Sequence, residues 1–349
     1  MESFSLTISA KRRRARSYAP TRKRAAEEDI DKMEEHRILL AGTPDIAVPL
    51  LKALCESFNV VGVLTSTDKK VGRSDKLVPS PVKAAALELG LPVLQFDSIR
   101  TEARGEVAKL GADTLISFAF GRIFGPMFLS LFPKGRFNVH PSALPQLRGP
   151  SPVQFTIDQG LKFAAISLQD IGLAMDEGDI WGVHSFPLEG TETNQSLTDR
   201  VATEAAAFVP PLLKRIFEGS VKPVPQMGEA SYCTMIDRQF GKLDFNSDVR
   251  SLHARIRSCY PWPKAWARIN GTDIAVTGVW GGFSELENLE CPETAEPGKV
   301  VAFRKDRGIG VCCKDGILWI TALQLPAKKE LDFKAFVNGN RWILESRFE

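Results

Sequence analysis

Asn138 and His140 stand two residues apart at the end of the apolar run 135–140, and the segment 137–149 reads F-N-V-H-P-S-A-L-P-Q-L-R-G. In extended backbone that spacing puts the amide and the imidazole on one face of a strand. The Pro/Ser/Gly stretch behind them ends the strand and leaves room for a substrate. Thirty-six residues beyond His140, Met175-Asp176-Glu177-Gly178-Asp179 offers a carboxylate on a Gly-containing turn. An amide N–H can hold an oxyanion. An imidazole can polarise the same oxygen or relay a proton near neutral pH. A carboxylate can orient that imidazole and help remove an amine proton through a water. Together Asn138, His140 and Asp176 form a candidate acyl-transfer site. N-x-H by itself fits a structural role equally well. The chain holds only four histidines, at 36, 140, 184 and 253.

Strands and helices have to carry these groups. Arg37–Ala41 is a short apolar strand ending at Gly42-Thr43-Pro44. Thr43 could cap a helix whose first position is Pro44 and whose apolar face is Val48, Leu51, Leu54 and Cys55. Asn59–Leu64 reads as a second buried strand. A polar loop 65–78, a Pro-started helix over 81–89 and strands at 92–94, 114–119 and 135–140 follow. Strands alternating with helices predict an α/β fold, a Rossmann-like, mainly parallel sheet covered on both faces. Ligands of such sheets sit beyond the carboxyl ends of the strands. Phe120-Gly121, Asn138–Pro145 and Met175–Asp179 are expected to line that crevice.

The texture changes near Lys222. Pro223, Pro225 and Gln226-Met227-Gly228 suggest a linker over 223–230. An amphipathic helix over 249–258 follows, then β-like runs at 266–269, 274–280, 299–303, 309–313 and 317–323. Turn residues separate them at the spacing of a small barrel. The expected organisation is a tail, 1–35; a catalytic domain, 36–222; the linker; and a second domain, 231–349.

The chain has 349 residues, 44% hydrophobic and 25% charged, as globular domains do. No apolar run is long enough to cross a bilayer. Six cysteines without C-x-x-C spacing argue against a zinc site or a disulfide framework. The net charge of +3 is unevenly placed: +7 over residues 1–24, −5 over 25–36 and +1 over the rest. Bulk charge therefore gives no argument for a nucleic-acid partner, and any such binding must rest on local patches. The tail, with Lys11-Arg12-Arg13-Arg14, reads as a disordered basic extension, a transit peptide or an over-extended start before Met33.

The segment 137–149 together with M-D-E-G-D resembles the active-site signature of the folate-dependent formyltransferases. Phe118-Ala119-Phe120-Gly121 is similar to that family's A-Y-G, with Phe120 lacking the hydroxyl. Ser142-Ala143-Leu144-Pro145 is similar to its S-L-L-P. In the second half, Gly228–Thr234, Arg255–Pro263 (R-I-R-S-C-Y-P-W-P), Leu323–Lys329 (L-Q-L-P-A-K-K) and Phe336–Gly339 resemble segments of the members that act on methionyl-tRNA. The resemblance spans about residues 37–343.

That resemblance implies an OB-type β-barrel as second domain, and transfer of formyl from 10-formyltetrahydrofolate to methionyl-initiator-tRNA, without a metal. It implies catalytic roles for Asn138, His140 and Asp176. Folate contacts would come from Phe120, Gly121, Ser142, Ala143, Leu144 and Pro145, with Phe120 packing on the folate ring and Arg148 steering the folate tail or a phosphate. The tRNA would meet Lys69, Lys70, Arg73 and Lys76 in one loop, where Ser74 and Asp75 depart from a more basic pattern. Arg255, Arg257, Lys264, Arg268, Lys328 and Lys329 would line a phosphate track. A bacterial cytoplasmic monomer is the expected setting, with organelle targeting by the tail as the alternative. Two rival functions stay open: formyl transfer to a small amine, such as glycinamide ribonucleotide or an amino-sugar nucleotide, and non-catalytic folate or tRNA binding. No G-x-G-x-x-G and no G-x-S-x-G is present, which argues against a nicotinamide enzyme and a serine hydrolase.

Overall fold

Leu39 and Ala41 point to one face of the first strand and Ile38 and Leu40 to the other, and all four are fully buried. A strand apolar on both faces needs a layer on each side. The computed structural model, which describes residues 36–70, 75, 77–287 and 295–349, shows both layers. The tail expected over 1–35 lies outside the described residues.

In chain order the first domain holds β1 (Arg37–Gly42), α1 (Val48–Ser57), β2 (Asn59–Thr65), β3 (Lys69–Lys70), β4 (Leu77–Val78), α2 (Pro81–Glu88), β5 (Val93–Gln95), α3 (Thr101–Lys109), β6 (Thr114–Phe118), α4 (Pro126–Leu129), β7 (Gly135–His140), α5 (Pro152–Asp158), β8 (Phe163–Asp170), β9 (Ile180–Pro187) and α6 (Asn194–Phe217). The sheet order is β5-β2-β1-β6-β7-β8-β9. Its first five strands are parallel, and β8 and β9 run antiparallel. One face packs Ile38 and Leu40 with Leu50, Leu51 and Leu54 of α1 and Leu197, Val201 and Val209 of α6. The other packs Leu39 and Ala41 with Val107 and a row of phenylalanines, 120, 124, 128 and 132. Each fully buried Leu contributes about 1.5–3 kcal/mol by leaving water.

One local expectation is corrected. Thr43 does not cap a helix: its Oγ1 lies 3.1 Å from Ser66 Oγ, and Asp45–Ala47 forms a 3-10 turn before α1 begins. The turn takes up the residues that Pro44 was expected to place in the helix. Met175–Asp179 brings Asp176 to Asn138 and His140, as expected of a loop lining the crevice. It joins antiparallel β8 to β9, so it reaches the crevice from the side.

The second domain holds α7 (Val249–Ser258), β10 (Ala265–Ile269), β11 (Thr272–Val279), β12 (Val300–Arg304), β13 (Gly308–Cys312), β14 (Ile317–Gln324), β15 (Leu331–Asp332) and α8 (Phe333–Gly339). All its ladders are antiparallel, in the order β10-β11-β14-β13-β12, with β15 added beside β14. Asp248 caps α7 by accepting from Ser251 N at 2.8 Å. The helix lays Val249, Leu252 and Ile256 on the sheet's core.

Candidate active site

Register builds the site. Ser117 of β6 pairs with Asn138 of β7, which pairs with Gln169 of β8, so three polar side chains stand in one row across three strands. The 171–179 loop lays Asp176 over that row. Its Oδ1 accepts from Gln169 Nε2 at 2.9 Å and Asn138 Nδ2 at 3.3 Å, and its Oδ2 accepts from Gly149 N at 2.9 Å. An ionised carboxylate only accepts hydrogen bonds, and here three N–H groups fix it. Two glycines permit the approach. A Cβ on Gly149, at φ +115°, would fall 2.4 Å from Cys233 O, and one on Gly178 would fall 1.9 Å from Asp170 O.

His140 is buried beneath this carboxylate, 4% exposed. One ring nitrogen, Nε2, lies 2.9 Å from Leu147 O, and the other, Nδ1, lies 3.6 Å from Asp176 Oδ1. A carbonyl can only accept, so Nε2 carries the hydrogen. Burial pushes the imidazole pKa below its ordinary value, while the Asp176 carboxylate and the Leu147 carbonyl oppose that shift. The neutral ring therefore turns an Nδ1 lone pair toward a carboxylate oxygen.

The loop after β7 is tied down from below. Ser142 Oγ donates to Gln146 O at 2.6 Å, Ser167 Oγ donates to Ser142 O at 2.7 Å, and Leu144 N donates to Ser167 Oγ at 3.2 Å. Ser142 and Leu144 are buried, Ala143 is exposed and Pro145 half-buried. Of the expected folate residues, Phe120 requires correction. Its ring is 4% exposed and stacks on Phe124 at 5.4 Å, within the core of the phenylalanine-row face, so it has no free face for a pterin. Gly121 is open, with no atom within 4 Å of a Cβ built on it, and Ala119 beside it is exposed. Of the expected folate residues, Gly121 and Ala143 are exposed, whereas Leu144 N, Ala143 O and Pro145 O are already hydrogen-bonded within the chain.

The expected tRNA residues divide. Lys69 and Lys70 are exposed on the β3–β4 ribbon, with Lys70 Nζ 2.6 Å from Asp75 Oδ1. Arg73 and Lys76 lie outside the described residues. Lys328 and Lys329 are exposed. Arg255 and Arg257 are corrected. Arg255 grips Asp158 of α5 through Nε at 2.5 Å and Nη2 at 3.0 Å, donates to Phe240 O and covers the Phe240 ring. Arg257 is 6% exposed and donates to His253 Nδ1 at 3.0 Å and Glu192 O at 2.9 Å. Both hold the seam between the domains. Lys264 is turned to Gln324 Oε1 at 2.6 Å, and Arg268 to Asp273 Oδ1 at 3.0 Å. Arg148 points to Gln226 and Glu177, not to open solvent. The sequence reading missed Gln169, Ser167 and Gln226. Strand alternation through I-S-L-Q-D is the one signal that could have placed Ser167 and Gln169 on this face.

Comparison with known proteins adds to this geometry. Residues 36–213 match the Formyl transferase family, and 235–341 match the Formyl transferase, C-terminal domain. The methionyl-tRNA formyltransferase of Borrelia turicatae (strain 91E135) is 33% identical over 314 residues, 89% of this chain and 99% of the relative. That of Bacillus subtilis (strain 168) is 35% identical over 306 residues, 87% of this chain and 94% of the relative. An N-formyltransferase from Helicobacter canadensis, solved with folinic acid and dTDP-3-aminofucose, shares the fold: TM-score 0.59 at 20% identity, covering 81% of this chain and 97% of that one.

Proposed function

The chain belongs to the folate-dependent formyl transferase family, beside methionyl-tRNA formyltransferases that match most of its length, and on that premise we propose that it moves the formyl group of 10-formyltetrahydrofolate to the α-amino group of methionyl-initiator-tRNA. The amine attacks the formyl carbon and a C–N bond forms. The carbonyl electrons move to oxygen, where an N–H of Asn138 holds the charge. The ammonium proton passes to His140 Nδ1, directly or through a water, and Asp176 stabilises the resulting imidazolium. Collapse of the intermediate breaks the bond to the folate nitrogen, which takes up the proton that His140 gives back as it leaves. Gln169 and Gly149 keep Asp176 in place throughout. The observation that carries this reading is the convergence of His140 Nδ1 and Asn138 Nδ2 on Asp176 Oδ1, at 3.6 and 3.3 Å.

In this reading the folate lies along the exposed Ala119, Gly121 and Ala143, and the acceptor end of the tRNA meets the β3–β4 ribbon with Lys69 and the Arg73 loop. Lys328 and Lys329 contribute phosphate contacts. In this reading the acting unit is a monomer, in a bacterial cytoplasm.

Transfer of labelled formyl, with charged methionyl-initiator-tRNA and methionine amide side by side, is the test. Label on the tRNA alone is expected. Label on a small amine alone would move the activity to small-amine transfer. Asn138→Ala should lower kcat by about 10²–10³ with KM little changed, since the oxyanion contact exists only in the transition state. Unchanged turnover would sink the assignment of Asn138.

A further inference from the structure

The residues between the domains do more than connect them. Val224 exchanges both main-chain hydrogen bonds with Ile180, at 2.8 and 2.9 Å, next to the Asp176 turn. Farther on, Ser231 and Cys233 run beside the 145–149 loop. Ser231 N donates to Pro145 O at 3.2 Å, Arg148 N donates to Ser231 O at 2.9 Å, and Cys233 N donates to Arg148 O at 2.8 Å. Leu147 N donates to Ser231 Oγ at 2.9 Å, and Leu147 O is the carbonyl that accepts from His140. The strap 224–233 thus touches both halves of the site.

Gln226 is its centre. Its Nε2 donates to Asp176 O at 2.8 Å and Gly178 O at 2.9 Å, and lies 3.4 Å from Oε1 of Gln169, the residue whose amide nitrogen holds the Asp176 carboxylate. Its Oε1 accepts from Arg148 Nε at 3.1 Å and Nη2 at 2.7 Å. A guanidinium only donates, so it fixes which end of the amide is oxygen and aims the NH₂ at the two carbonyls. Arg148 in turn is held by Glu177, the residue between those carbonyls, at 2.9 Å, and by Tyr232 Oη at 3.2 Å. Asp176 itself stands at φ +56°, a left-handed conformation that persists only where the surroundings fix it.

We infer that Gln226 is a positioning residue of the transfer reaction: through the carbonyls of Asp176 and Gly178 it holds the carboxylate against His140, so the strap leading to the second domain forms part of the catalytic site. This rests on the formyl-transfer reading, and the wild-type assay separates the two. A wild-type enzyme that formylates no methionyl-tRNA sinks that reading. An active wild type beside an unaffected variant sinks only the inference.

The substitutions are Gln226→Ala and the near-isosteric Gln226→Glu, which keeps the acceptor facing Arg148 and loses the NH₂ that clamps the turn. Both are assayed with full-length protein for kcat and for KM of each substrate, and by thermal unfolding. The expected result is a kcat loss of about 10–100-fold in both variants, KM for methionyl-tRNA and folate within about twofold, and cooperative unfolding retained, because a small displacement of a catalytic group costs turnover rather than affinity. Full kcat in a folded Gln226→Glu overturns the inference. So does a raised KM for methionyl-tRNA at unchanged kcat, which would make the strap a docking element only. If Gln226→Ala fails to fold, Gln226→Glu alone decides.

Discussion

Two buried histidines, one in each domain, begin from similar surroundings. His140 has Nε2 2.9 Å from Leu147 O, and His253 has Nε2 3.1 Å from Gly281 O. Both rings therefore carry a hydrogen on Nε2. They differ at Nδ1. In His253 the lone pair accepts from Arg257 Nε at 3.0 Å, which fills the ring. In His140 it faces a carboxylate oxygen 3.6 Å away. A proton arriving at His140 meets a negative charge, whereas one arriving at His253 meets a guanidinium. Burial is common to both; the group opposite Nδ1 decides which ring can exchange a proton during a reaction.

Acid should expose this difference with the largest energy. Burial, with the Arg257 charge adding to it, pushes the His253 pKa down to about 3, against the pull of nearby carbonyls and Glu285. The unfolded chain binds that proton below about 6.5, and the folded chain does not until about 3, so stability falls as pH drops through this window. The difference amounts to about 5 kcal/mol for this one group. His253→Gln keeps a donor for Gly281 O and an acceptor for Arg257 without a titrating ring. Denaturant midpoints across that range should then fall less steeply in His253→Gln than in the wild type, and identical slopes would mean that His253 already carries its proton.

Arg257 gives the next largest effect, on stability and not on turnover. Arg257→Met would leave His253 Nδ1 buried and Glu192 O half-buried without their donor, a loss of about 2–3 kcal/mol for charge-assisted hydrogen bonds. Thermal unfolding should shift down by several degrees, with kcat at a permissive temperature unchanged. A fall in kcat without a fall in the unfolding temperature would place Arg257 in the reaction and remove the contrast.

The same contrast shows how much the chain displays before folding. The parallel core of the first domain was legible because Ile38 to Ala41 and Asn59 to Leu64 are apolar on both faces and bounded by turn residues. The helix over 249–258 was legible from its spacing. β8, β9 and α6 were not. Gly182 and His184 interrupt the apolar pattern of β9, and Pro210-Pro211 disguise the last turns of α6. Asn138, His140 and Asp176 stood out as rare groups at suggestive spacing, and they do converge. Gln169 and Gln226 did not, because an amide looks the same in a sequence whether it faces solvent or clamps a carboxylate. Arg255 and Arg257 erred the other way. A basic pair on an amphipathic helix resembles a phosphate track until Asp158, Phe240, His253 and Glu192 are seen to hold it.

The smallest effect separates cations that hold the domains together from cations left for a polyanion. Arg255 is engaged by both oxygens of Asp158, whereas Lys328 and Lys329 project from the turn after β14. Binding that neutralises phosphates releases counterions, so the slope of log affinity against log salt falls by about 0.7–0.9 for each lysine that touches a phosphate. Lys328→Ala with Lys329→Ala should flatten the slope for methionyl-tRNA by up to about twice that amount and weaken binding a few-fold at low salt. Arg255→Ala should leave the slope unchanged, and a cycle with Asp158→Ala should show coupling on the order of 1 kcal/mol in stability. The reverse pattern, a flattened slope from Arg255→Ala and none from the lysines, would place the tRNA across the domain seam. A guanidinium already held by a carboxylate gains little from a phosphate, because it would have to break one ion pair to make another, and so the exposed lysines should carry the salt dependence.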